Sequence, residues 1–227
     1  MPEASRSKRF WNRAARENAA WYIATRFTSA NEEFFASGAR EVDAFLGAAA
    51  LRIAAEDTVL EIGCGAGRMT RRLAQLAGCV IAADVSGEML ERARANLEGR
   101  GAVRYLELDG DGALPLKTAS VDAVFSYITM QHVPTAAAQE RYVGEAVRVL
   151  RPGGWAYLQF RRGGPTARAL DWAGHLAHRL RGRRTLDRAW RGSRVSPAAL
   201  RRAAGAEATV SIRRSGRRHV WVLARRR

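Results

Sequence analysis

Lysine is nearly missing from this chain: Lys8 and Lys117 are the only two among its 38 basic residues, and the rest are arginine. Cysteine is equally rare, with Cys64 and Cys79 alone in 227 residues. Two cysteines at that spacing build neither a disulfide framework nor a metal-ligand set. No run approaches the ~18 apolar residues needed to span a bilayer. The first thirty residues, opening MPEASRSKRFWNRAARENAAWY, hold no uninterrupted apolar stretch of the signal-peptide kind. These absences argue against a disulfide scaffold, a metal centre and a membrane protein, and they predict a cytoplasmic location. A hydrophobic content of 47% is ordinary for a globular chain that buries a full core.

The net charge of +16 is unevenly placed. Up to residue 160 the basic and acidic residues balance at 19 each, whereas residues 161–227 carry 19 arginines and three acids. A basic third of that kind attracts polyanions or an anionic substrate. It is also what results when arginine is used wherever a solvated cation is tolerated. Aromatics able to stack bases are sparse there: Trp172, Trp190 and Trp221, with no Phe or Tyr after Phe160. The composition therefore predicts weak, salt-sensitive, sequence-independent RNA binding and leaves oligomeric state open.

Strands and helices alternate through the middle of the chain. Val59–Gly63 reads as a buried strand, and Met69, Leu73 and Leu76 then lie on one helical face. CVIAADVS is a second strand ending at Asp84. A helix capped by Ser86 follows, with Met89, Leu90, Ala93 and Leu97 on one stripe and Gly99 after it. VRYLELD and VDAVFSYI are the third and fourth strands. AAAQERYVGEAVRVL is a helix stopped by Pro152-Gly153-Gly154, and WAYLQF is the fifth strand. A helix from Ser196-Pro197 to about Ala204 precedes two strands joined at Ser215-Gly216. The expected fold is α/β, a doubly wound, mainly parallel, seven-stranded Rossmann-like sheet closed by a C-terminal antiparallel hairpin strand. Residues 1–56 read as a helical segment ahead of a domain at 57–227, which carries a basic insertion at about 161–195.

The stretch VLEIGCGAGRMTRRLAQLAG carries the chemistry. A strand that ends in glycines and opens a helix lets a ligand approach the backbone closely. Gly63, Gly65 and Gly67 are spaced G-x-G-x-G, and Arg68 stands where a dinucleotide fingerprint needs its third glycine. No Gly-Lys-Ser/Thr follows, which excludes a Walker loop. Glu61 would repel a pyrophosphate but can accept a hydrogen bond from an ammonium group. A ligand with an amino-acid end fits these features.

With these parts in order, residues 57–160 and the terminal hairpin resemble the class I S-adenosylmethionine-dependent methyltransferases. LEIGCGAGRMTRRLA is similar to the first family motif, SVDAVFSYITMQHV to the fourth strand with its loop, and RVLRPGGWAYLQF to the helix, turn and fifth strand. The resemblance implies that Asp84 binds both ribose hydroxyls of S-adenosylmethionine, with Val85 and Met89 beside it. Asp109 or Asp111, flanking Gly110, then contacts the adenine amino group. Glu61, Gly63, Cys64 and Gly65 lie along the amino-acid end, with Cys64 a small neighbour and no nucleophile. Tyr127 and His132 follow the fourth strand, where the methyl group faces in this fold; His132 is either a general base or a structural histidine. Trp11 and Tyr22 are core residues or part of an N-terminal lid over the cofactor. The implied activity is methyl transfer to an O, N or C atom of a small molecule. An RNA methyltransferase and a non-catalytic cofactor-binding protein are the alternatives.

Overall fold

The computed structural model describes residues 3–163, 190, 192–216 and 218–227. The apolar runs become strands β1 (Thr58–Ile62), β2 (Cys79–Asp84), β3 (Val103–Glu107), β4 (Val121–Ser126) and β5 (Leu150–Arg161), followed by β6 (Ala208–Ser215) and β7 (His219–Arg226). They form one sheet in the order β3-β2-β1-β4-β5-β7-β6. Pairings among β1 to β5 are parallel, and β7 runs antiparallel to both β5 and β6. The sheet is therefore doubly wound and mainly parallel, as the alternation predicts. The last strand inserts between β5 and β6 and alone reverses direction. β1, β2 and β4 are buried along nearly their whole length, which is why they read as continuous apolar runs.

Helices α1 (Glu3–Ile23), α2 (Glu32–Ala48), α3 (Thr70–Leu76), α4 (Gly87–Asn96), α5 (Ala136–Val149) and α6 (Pro197–Ala203) flank the sheet. Four of them begin on a side-chain cap: Asn31, Ser86, Thr135 and Ser196 accept from the backbone N–H three residues on. α5 lays Ala138, Tyr142, Val143, Ala146 and Val147 against the main core, one face of a 3.6-residue period. None of the helices is long and apolar enough to cross a membrane among the described residues.

Two boundaries differ from the sequence reading. β1 stops at Ile62 because Gly63 takes φ +81°, outside the strand region. β5 begins at Leu150, which pairs with Val121 before the register shifts and Trp155 pairs with Ala123. Pro152-Gly153-Gly154 thus forms an irregularity inside the strand edge; a Cβ on Gly154 would lie 2.6 Å from the Asp122 carbonyl.

α1 is interrupted at Asn18, whose extended backbone (φ −169°, ψ 89°) breaks the helix. The Asn18 side chain restarts it, accepting from Trp21 N at 3.0 Å and donating to the Thr28 carbonyl at 3.0 Å. The first half is tied to the C-terminal side of the sheet by Lys8–Glu107 (2.5 Å), Arg16–Glu88 (2.7 Å) and a 2.7 Å hydrogen bond from Ser86 to Asn12.

Candidate functional site

Strand order turns back on itself between β1 and β4, and a cleft opens beyond the C-terminal ends of β1, β2 and β4, where ligands bind in open α/β sheets. Its floor is the glycine turn. Gly63 and Cys64 donate to the Ala83 carbonyl at 2.7 and 3.0 Å, which presses the turn onto the end of β2. A Cβ on Gly63 would fall 2.1 Å from Thr129 Oγ1, and the residue sits at φ +81°. Only glycine meets both demands.

Asp84 is 9% exposed at the end of β2. Its Oδ2 accepts from Gly65 N and its Oδ1 from Ser86 N, both at 2.9 Å. Each oxygen keeps a lone pair, so the carboxylate can accept two further hydrogen bonds. Burial raises its pKa, and the backbone donors oppose that shift. Glu61, 4% exposed, accepts from the Thr70 hydroxyl at 2.6 Å. Desolvation lifts its pKa to about 7, against the lowering effects of Thr70 and Arg68.

Arg68, at the position of the missing third glycine, points away from the glycine turn's own helix. Its buried side chain runs toward α2 instead, where it meets Ser37 Oγ at 3.1 Å and Glu41 Oε2 at 2.6 Å. Its Nε remains buried without a protein partner. The loop after β4 forms the opposite wall. Ile128 takes φ +56°, a left-handed conformation unfavourable for a β-branched residue. Thr129 donates to the carbonyls of Gly63 (3.3 Å) and Tyr127 (3.2 Å).

A family model described as a methyltransferase domain matches residues 60–158. Those residues are a class I S-adenosylmethionine-dependent methyltransferase domain. The domain is 41% identical over 96 residues to the malonyl-[acyl-carrier protein] O-methyltransferase of Pectobacterium atrosepticum, covering 42% of this chain and 35% of that one. It is 32% identical over 117 residues to the ubiquinone biosynthesis O-methyltransferase of Xanthomonas oryzae pv. oryzae, covering 51% and 48%. The chain thus spans less than half the length of these curated relatives. The magnesium protoporphyrin IX methyltransferase of Synechocystis, solved with SAH bound, shares the fold at a TM-score of 0.66 and 17% identity, with 97% and 98% of the two chains covered.

The residues present fit this domain's cofactor. The partnerless Arg68 Nε–H is a cationic donor at the edge of the cleft, suited to a carboxylate, and Asp84 offers a buried acceptor pair suited to vicinal hydroxyls. Of the residues expected from sequence, Trp11, Tyr22, Glu61, Gly63, Cys64, Gly65, Asp84, Val85, Met89, Gly110, Tyr127 and His132 all line the cleft. Asp109 and Asp111 do not: both are exposed, and Asp111 is held by Arg141 at 2.7 Å and by Ala113 N at 2.9 Å. Gly110, at φ +82°, turns the chain so that its own backbone faces the cleft. Sequence reasoning missed Ile23, Thr129 and Tyr142, which also line it. No local pattern marks them, because each arrives from a separate element.

Proposed function

We propose that the protein is an enzyme that transfers a methyl group from S-adenosylmethionine to a small-molecule acceptor. When bound, the cofactor supplies a methyl carbon on a sulfonium, ready for in-line displacement. Asp84 holds the ribose hydroxyls, Glu61 faces the ammonium and Arg68 the carboxylate of its amino-acid end. Val85, Met89 and Leu108 enclose the adenine side. Asp109 is the better candidate for the adenine amino group, because Asp111 is committed to Arg141. Tyr127, Thr129 and His132 border the acceptor side. Holding acceptor and methyl in line supplies most of the rate enhancement, and little covalent chemistry is asked of the protein.

Trp11, Tyr22 and Ile23 of the N-terminal segment line the same cleft, which supports reading residues 1–56 as its lid. Most of the basic insertion, including residues 164–189, lies outside the described residues. The observation that carries the proposal is the buried Asp84 carboxylate bound to the glycine turn at the switch point. The resemblance to O-methyltransferases in primary sequence supports oxygen as the acceptor atom. The test is incubation with labelled-methyl cofactor and soluble host extract. Label is expected in the low-molecular-weight fraction; label confined to RNA would favour the basic third as a recruiting surface and overturn the small-molecule reading.

A further inference from the structure

α2 carries Ser37, Gly38 and Glu41 within little more than one turn, and all three meet Arg68. A Cβ on Gly38 would collide with the Arg68 carbonyl and lie 3.0 Å from its Cγ. Glycine weakens a helix interior, and here it lets α2 lie directly on the chain at Arg68. Ser37, one residue before, is fully buried and donates its hydroxyl to the Phe34 carbonyl at 2.7 Å. That fixes the hydroxyl oxygen as an acceptor, and it takes Arg68 Nη1 at 3.1 Å. Glu41 stands four residues after Ser37, on the same helix face, and its Oε2 takes Nη2 at 2.6 Å. The pairs Arg71–Glu32 (3.0 Å) and Arg72–Asp43 (2.9 Å) hold the same helix against α3.

A guanidinium is a planar, rigid fork, so anchoring both Nη atoms also fixes the direction of the Nε–H. That third donor is buried and has no partner in the protein. An unmet hydrogen bond on a buried cation is unfavourable, which makes the Nε–H a strong donor for any anion brought to it. Arg68 lines the cleft together with Glu61, Gly65 and Tyr127. Burial raises the pKa of Glu61 and of Tyr127, and the Arg68 charge opposes both shifts. The residue therefore has two sides, one held by α2 and one facing the ligand cleft.

We propose that Ser37 and Glu41 are positioning residues for the cofactor: they hold the Arg68 guanidinium so that its Nε–H meets the amino-acid carboxylate. This rests on the methyltransferase reading above. It makes α2 part of the cofactor site, although α2 lies outside the matched residues 60–158. Neither side chain touches the cofactor. Their contribution is preorganisation, since a free arginine side chain loses rotamer freedom when it closes on a ligand and an anchored one has already lost it.

The test is calorimetric titration of the full chain with S-adenosylmethionine and with its decarboxylated form, which differ only in the carboxylate. The wild type should bind S-adenosylmethionine about tenfold tighter or more, the worth of a hydrogen bond between charged groups. In Glu41→Ala that ratio should fall to about threefold or less, with the Kd of the decarboxylated form unchanged within about twofold. Glu41→Gln, whose amide oxygen can still accept from Nη2, should keep the wild-type ratio. Ser37→Ala, a favourable helix substitution that removes one anchor, should lower the ratio by a smaller factor and carries the test if Glu41→Ala fails to melt cooperatively. An unchanged ratio in the folded alanine variants, or an equal loss of affinity for both ligands, would overturn the positioning role and leave the methyltransferase reading in place. A wild type that binds both ligands equally would overturn the carboxylate contact itself, and one that binds neither would overturn the methyltransferase reading as well.

Discussion

Asp84→Ala separates cofactor binding from folding, because the carboxylate has two sets of partners. Toward the protein it accepts from Gly65 N and Ser86 N at 2.9 Å each. Toward the cleft, in the proposed binding mode, its remaining lone pairs would meet the two ribose hydroxyls. Hydrogen bonds to a charged group are worth about 1.5–3 kcal/mol each, so losing the outer pair costs at least ~3 kcal/mol of binding. Since every 1.4 kcal/mol is tenfold, the Kd for S-adenosylhomocysteine should rise by roughly two orders of magnitude. The inner pair adds a separate cost, as two backbone N–H groups lose a buried acceptor at about 1–3 kcal/mol each. Relief from burying a charge offsets part of that, and the variant should still melt cooperatively at a lower Tm. Asp84→Asn is no conservative control: its single amide oxygen cannot serve both N–H groups, and its NH2 faces one of them. Calorimetric titration of both variants beside the wild type is the assay. An unchanged Kd in a folded Asp84→Ala protein would refute the ribose assignment.

Other outcomes follow from the same geometry. Gly63→Ala places a Cβ 2.1 Å from Thr129 Oγ1 at φ +81°, so it should lower the Tm and abolish S-adenosylhomocysteine binding; retained affinity would show that the turn is not the floor of the site. Glu61 has a folded pKa of about 7, raised from the unfolded value, so the folded state holds its proton longer. The unliganded protein should therefore lose stability, on the order of 3 kcal/mol, as pH rises from about 4.5 through 7. Denaturation midpoints measured across that window should show the slope, and Glu61→Gln should flatten it. Replacing the exposed Arg201, Arg202 and Arg214 with glutamine should weaken salt-sensitive RNA retention in a filter assay and leave methyl transfer unchanged; a loss of transfer would tie the polyanion surface to catalysis.

The parts of the site that sequence made visible are those built by contiguous chain. Glu61, the glycines and Asp84 lie at the ends of two adjacent parallel strands, and parallel pairing brings them together without further information. Ser86 was readable as a cap for a similar reason, since its partner Met89 is three residues away. The destination of Arg68 was not readable, because Ser37 and Glu41 lie on α2, 31 and 27 residues earlier, and only the tertiary packing brings them to it. His132 could not be decided from sequence for the same reason. Its ring is fixed by a carbonyl 58 residues on, and its Gln131 neighbour by a histidine 88 residues on. The acidic pair around Gly110 is a further case, in which spacing to the strand end carries no information about the turn that leaves both carboxylates exposed.

A crystal structure of the chain with S-adenosylhomocysteine is the decisive test of the proposed binding mode. Both ribose hydroxyls are expected within hydrogen-bond distance of Asp84, the amino-acid carboxylate on Arg68 Nε, and the sulfur facing the Tyr127–His132 loop. Density for the ligand outside the glycine turn, or a ribose that makes no contact with Asp84, would contradict it.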